Sequence, residues 1–276
     1  MVWAALSAQG SSVSAFAILL IVGVFAGLLS GALGIGGGIL VVPLLIYLLP
    51  AMGVPASIVV PTAIGTSLAT IAVTTFSSAL AHQRSGNIEW KWVRWLAPTI
   101  VIGGLIGSWL GSTIPPAILQ RVFAVILLLL ALRMVWKRQP RNSEKAIKQW
   151  KVRSFGTSIG IVSSLVGIGG GALVVPLLNY YQVLMSRAVA VAAVCSVVLS
   201  AVSTLLYATM GSGVHNIEMF GLFGFLYLPA WAGIVVTSVL FAPVGAKIAS
   251  VLPVRYLQRA FAVLLVFVAI HLLVGS

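Results

Sequence analysis

Apolar residues run along this chain in long blocks rather than in alternation, at roughly 13–33, 38–49, 56–82, 92–112 and 117–136, then 154–168, 172–184, 188–210, 219–246 and 256–274. Stretches such as Ala124 to Ala131 and Phe261 to Ile270 are apolar on every face of a helix. Several blocks reach the roughly 20 residues that cross a hydrocarbon core as helix. Transmembrane barrel strands would instead alternate over about ten residues. The pattern therefore predicts an all-α polytopic membrane protein.

The one long polar stretch is KRQPRNSEKAIKQWKVR, Lys137 to Arg153. It divides the chain into a first transmembrane unit at 1–136, a linker at 137–153 and a second unit at 154–276. The two units match. GIGGGILVVPLL at Gly34 to Leu45 returns as GIGGGALVVPLL at Gly167 to Leu178, an offset of 133 residues with eleven of twelve positions identical. Asn87-Ile88-Glu89 returns as Asn216-Ile217-Glu218, and Leu119-Gln120-Arg121 as Leu257-Gln258-Arg259. Three landmarks in one order make an internal duplication.

Basic residues set the orientation. The linker holds Lys137, Arg138, Arg141, Lys145, Lys148, Lys151 and Arg153, which predicts a cytoplasmic position. The connector with Arg84, Lys91 and Arg94 falls on the same side. In the second unit the bias reverses: Gly211 to Glu218 has no Lys or Arg, and the next connector is flanked by Lys247, Arg255 and Arg259. Corresponding connectors facing opposite sides predict inverted repeats. Inversion needs an odd number of elements per repeat, so the short segments 38–49 and 172–184 supply a fifth. The expected fold has eight long transmembrane helices, two short broken or re-entrant segments at the glycine motifs, and both termini outside. Parallel four-helix repeats with both termini inside are the alternative.

Composition narrows the function. With 61% hydrophobic residues, 7% charged residues and a mean hydropathy of +1.16, a soluble domain is excluded, since such domains are about a quarter charged. The net charge of +13 comes from 16 Lys and Arg against Glu89, Glu144 and Glu218, with no Asp. Basic residues at helix ends and in one linker suit anionic lipid headgroups, so nucleic acid is not an expected partner. Cys195 is the sole cysteine; no disulfide, Cys/His metal cluster or cofactor is expected. The opening MVWAALSAQG has no basic run, so no cleaved signal peptide is expected.

The glycine motif carries the candidate chemistry. Consecutive glycines unwind a membrane helix, and backbone without partners survives at that depth only inside protein or beside a polar cavity. Pro43 and Pro176 are expected in the first turn of the short helix that follows, where a missing N–H is tolerated. Gly34, Gly36, Gly37 and Gly38, with Gly167, Gly169, Gly170 and Gly171, then form two amide nests suited to sulfite, sulfonate or carboxylate. Asn179 is added as a polar neighbour. Close helix packing is the competing explanation for these glycines, and the preferred one for Gly23, Gly27 and Gly31 and for Gly103, Gly107 and Gly111. A phosphate loop and a dinucleotide fingerprint both fail for want of GxxxxGK[ST] and of a following acid.

Arg121 and Arg259 read as interfacial anchors or as attractors of an anion. Glu89 and Glu218 each follow an Asn able to cap a helix; they read as first-turn acids or as coupling groups. His82 and His215 read as interfacial. Thr62, Thr66, Ser67, Ser196 and Ser203 are polar within apolar segments, where such hydroxyls commonly bond back to their own helix.

The paired GxGGGxLVVPLL elements, the basic linker and the pattern of long helices resemble the TauE/SafE family of sulfite and organosulfonate exporter-like permeases. The resemblance spans about Val13 to Leu273. It implies a multi-pass bacterial inner-membrane transporter of small, often sulfur-containing anions, and carries over only Gly34 to Pro43 and Gly167 to Pro176. A secondary transporter using alternating access is the leading expectation. The expected partners are a small anionic substrate, the bilayer and, as an open alternative, a second copy of the chain. A membrane subunit of a larger transport complex also stays open. An anion channel would need a continuous polar stripe, which the sequence does not display. A membrane enzyme would need paired acids at membrane depth, and catalysis is not expected.

Overall fold

A computed structural model describes residues 17–28, 37–135, 149–211, 221–251, 262–263 and 265–270. Gly31, Gly34, Gly36, linker residues 137–148, His215, Glu218, Arg255 and Arg259 lie outside the described residues. The elements are α1 (Ala17–Leu28), α2 (Gly38–Ala51), α3 (Val59–Arg84), α4 (Trp90–Thr113), α5 (Pro116–Val135), α6 (Gln149–Val166), α7 (Gly171–Tyr180) and α8 (Met185–Met210). A two-residue-per-strand hairpin, β1 (Leu222–Phe223) with β2 (Leu226–Tyr227), precedes α9 (Leu228–Val251). Helical turns follow at 262–263 and 265–270.

The fold is a helical membrane protein. Among the described residues, α3, α4 and α8 are long and apolar enough to cross a bilayer. α3 is the most enclosed of the three. Three of its buried threonines bond back to their own helix, Thr70 to the Thr66 carbonyl at 2.9 Å, Thr74 to that of Thr70 at 3.1 Å and Thr75 to that of Ile71 at 2.6 Å, which hides the hydroxyls at little cost, whereas buried Thr62 has no partner among the described residues.

Glycine decides which helices touch. A Cβ at Gly103 would overlap the Thr157 carbonyl, and one at Gly160 would lie 2.9 Å from the Gly104 nitrogen, so α4 and α6 meet backbone to backbone. Gly23 and Gly27 bring α1 equally close to Ile234, Thr237 and Ser238 on α9. The packing expectation for Gly23, Gly27, Gly103 and Gly107 thus agrees with the contacts, as does Gly111 against the Tyr207 ring. Without lipid-water contrast to drive helices together, such close approach supplies the dispersion that holds them.

Contacts also give direction. Gly103 meets Thr157 and Gly107 meets Ile161, so α4 and α6 run parallel. Gly104 meets Leu199, Gly111 meets Tyr207, and Glu89 pairs with Arg187, so α8 runs with them. α3 opposes α8: Gly65 lies beside Tyr207, while Gly169 touches both Ile71 and Ser200.

The block 219–246 does not continue as one helix. Gly221 and Gly224 take φ of 84° and 56°, left-handed values that break the run, and the hairpin results. Its Tyr227 N–H donates to Thr66 Oγ1 at 3.0 Å and its Phe225 N–H to the Tyr207 carbonyl at 3.1 Å. The ribbon is thereby wedged between α3 and α8.

Candidate functional site

Helix α6 stops because Gly167 turns left-handed at φ 68°. The Ile168 N–H then reaches back to the Ser163 carbonyl at 3.1 Å, the six-to-one bond of a Schellman ending. Gly169 is also left-handed at φ 74° and Gly170 returns to the right-handed region as the N-cap of α7. In the other copy Gly37, at φ 69°, takes the N-cap of α2. Both short helices begin at matched glycines, Gly38 and Gly171.

The two copies meet. A Cβ on Gly38 would sit 2.6 Å from the Gly167 carbonyl and 3.1 Å from Ser67 Oγ. That hydroxyl donates to the same carbonyl at 2.9 Å, so Ser67 spends its proton between copies instead of on its own helix. Gly37 abuts the Ala26 carbonyl. Gly37, Gly38, Gly167, Gly169, Gly170 and Gly171 are therefore gathered in one buried place.

Other sequence candidates fall elsewhere. Pro43 and Pro176 are each the sixth residue of their helices, not members of the first turn. The helices start directly at Gly38 and Gly171, earlier than the apolar run implied, so the prolines instead free the carbonyls of Ile39 and Ala172 from intrahelical bonds. Asn179 lies about 13 Å along α7 from Gly170 at 1.5 Å per residue, where its amide donates to Met185 Sδ at 3.3 Å. Arg121 is exposed on α5. Glu89 is itself the N-cap of α4, with no side-chain capping bond. Its carboxylate instead accepts from Arg187 Nη1 at 2.8 Å, because the starts of α4 and α8 lie side by side. Arg187 had no signal in the sequence beyond its position at a helix start.

The interior holds hydroxyls that the hydrophobic pattern conceals. Ser196, Ser200 and Ser203, spaced four and three apart and so on one face of α8, are all buried and have no hydrogen-bond partner among the described residues. Ser196 Oγ lies 3.7 Å from where a Cβ on Gly170 would be, and Ser200 Oγ 3.7 Å from that of Gly169. Ser200 completes a spacing that Ser196 and Ser203 already suggested. Among the described residues no cluster of His, Cys, Asp or Glu could hold a metal.

A break in the backbone, enclosed by apolar helices and lined by buried hydroxyls, defines the class: a polytopic helical membrane protein with a polar centre. The chain belongs to the sulfite exporter TauE/SafE family, whose model matches residues 19–272. A probable membrane transporter protein of Haemophilus influenzae is 37% identical over 256 residues, covering 92% of this chain and 97% of its own. Another, from Methanocaldococcus jannaschii, is 33% identical over 63% of this chain and 65% of its own. The probable membrane transporter protein YunE of Bacillus subtilis is 29% identical over 58% and 66%. The protein is thus a multi-pass membrane transporter of this family. No solved structure matches the chain.

Proposed function

We propose that the protein is a secondary transporter that moves small anions of the sulfite and organosulfonate kind across the bacterial inner membrane by alternating access. The observation that carries this reading is the buried backbone break at Gly167 to Gly171, set against partnerless hydroxyls on α8. Irregular backbone at membrane depth is tolerated where it faces a polar cavity, and helix N-termini favour anions. The family's name supports sulfite as the substrate class.

The mechanism calls for inverted repeats. Support comes from α3 opposing α8, and from matched cross-contacts in which Gly23 meets Thr237 just as Gly156 meets Thr99. The first element of each unit thus packs on the fourth of the other. Two units locked crosswise can rock about a shared centre, which is how substrate is exposed to one side at a time. Reporter fusions at Gly213 and Ser276 test this; cytoplasmic signals at both reject it.

Transport itself is tested with purified protein in liposomes. Sulfite or methanesulfonate flux should saturate and show counterflow, and a response confined to cations overturns the proposal. The serine face of α8 favours one second reading, an anion channel. Current without saturation or counterflow would select it.

A further inference from the structure

We propose that substrate is held at the second glycine motif, in an oxyanion cradle made by the start of α7 with Ser196 and Ser200. The proposal rests on the transporter reading above and assigns its binding groups.

Leu173 and Val174 both donate back to the Gly170 carbonyl, at 3.2 and 2.9 Å. The amides of Gly170, Gly171 and Ala172 come before these and have no carbonyl behind them within the helix. All three project from the end of α7 toward the glycine break. Beside it stand Ser196 and Ser200, 1% and 0% exposed, whose hydroxyls have no partner. A buried hydroxyl left unpaired costs on the order of 1–3 kcal/mol, and two at one helix start, beside amides with no carbonyl behind them in the helix, describe donors that an anion would satisfy.

The two motifs are not equivalent. Ser67 and Ser196 share the offset of 129 residues that relates Asn87 to Asn216. Ser67 is already spent on the Gly167 carbonyl, whereas Ser196 is free. Space separates them too. A Cβ on Gly37 or Gly38 would run into backbone at 2.8 or 2.6 Å, but one on Gly170 would find its nearest neighbour, Leu199, at 3.5 Å. Gly170 also has φ −65°, which any residue adopts. Neither strain nor crowding demands glycine there. What a side chain would take is the room beside Ser196.

The test compares Gly170→Ala and Ser196→Ala with wild type, using methanesulfonate as the probe. Binding is read by calorimetry on detergent-purified protein, folding by thermal unfolding, and flux in liposomes. Wild type should bind methanesulfonate. Both variants should keep the wild-type Tm within a few degrees yet lose about tenfold or more in affinity, while Ser112→Ala, at the far end of α4, keeps it. Unchanged affinity in both variants overturns the cradle, and the transporter reading survives if flux persists. No binding and no flux of methanesulfonate in wild type overturns both.

Discussion

The hydroxyl of Ser67, in the buried part of α3, donates at 2.9 Å to the carbonyl of Gly167, the left-handed residue that ends α6. One bond therefore ties a helix of the first unit to the broken segment of the second. Ser67→Ala leaves that carbonyl buried and unpaired, a loss of about 1–3 kcal/mol. Thermal unfolding in detergent should show a lowered Tm, and an unchanged Tm would mean that water or another donor takes over.

The α4–α6 seam has no slack. A side chain at Gly160 would press on the Ile100 carbonyl and the Gly104 nitrogen, both backbone and unable to turn aside. Gly160→Val is expected to cost about 3 kcal/mol or more, the upper range of overpacking, and to reduce the yield of folded protein. Gly170→Ala, with room and a right-handed φ, should do neither.

The pair of Glu89 and Arg187 sits half in solvent, with side chains 31% and 51% exposed. Exposed pairs contribute under about 1 kcal/mol and weaken with salt. Glu89→Gln should lower Tm slightly, more at low than at high ionic strength, and leave flux in place. Loss of flux with normal folding would give Glu89 a coupling role instead.

Cys195 is buried next to Ser196 in α8. A maleimide should fail to label it in native membranes and label it after denaturation in detergent. Because it is the chain's sole cysteine, rapid native labelling would report that α8 opens toward water at the cradle.

Much of this architecture was legible in the sequence because membrane helices declare themselves by length and uniform apolarity. The blocks 92–112 and 117–136 became α4 and α5 almost unchanged, and the glycine run became a helix break because Gly167 and Gly169 adopt conformations closed to other residues at low cost. The hairpin at Gly221 to Tyr227 was not legible. GLFGFLY is as apolar as its flanks, and only φ at two glycines separates ribbon from helix. Proline positions were misread for a related reason: hydropathy marks where an apolar run begins, whereas the helix begins where the glycines end. Ser200 was passed over because a lone serine among valines usually bonds back to its own turn, and only the structure tells that it does not.

The hairpin makes the two halves unequal. The Asn-Ile-Glu landmarks just before it are 129 residues apart and the Leu-Gln-Arg landmarks after it are 138 apart, so the ribbon falls where the second half has nine residues that the first does without. Its Tyr227 amide bonds to Thr66 on α3, and the Phe225 amide, in the turn between the strands, to Tyr207 on α8. Where the first half runs from Glu89 straight into helix, the second half carries a clasp that fastens two of the chain's longest helices to each other.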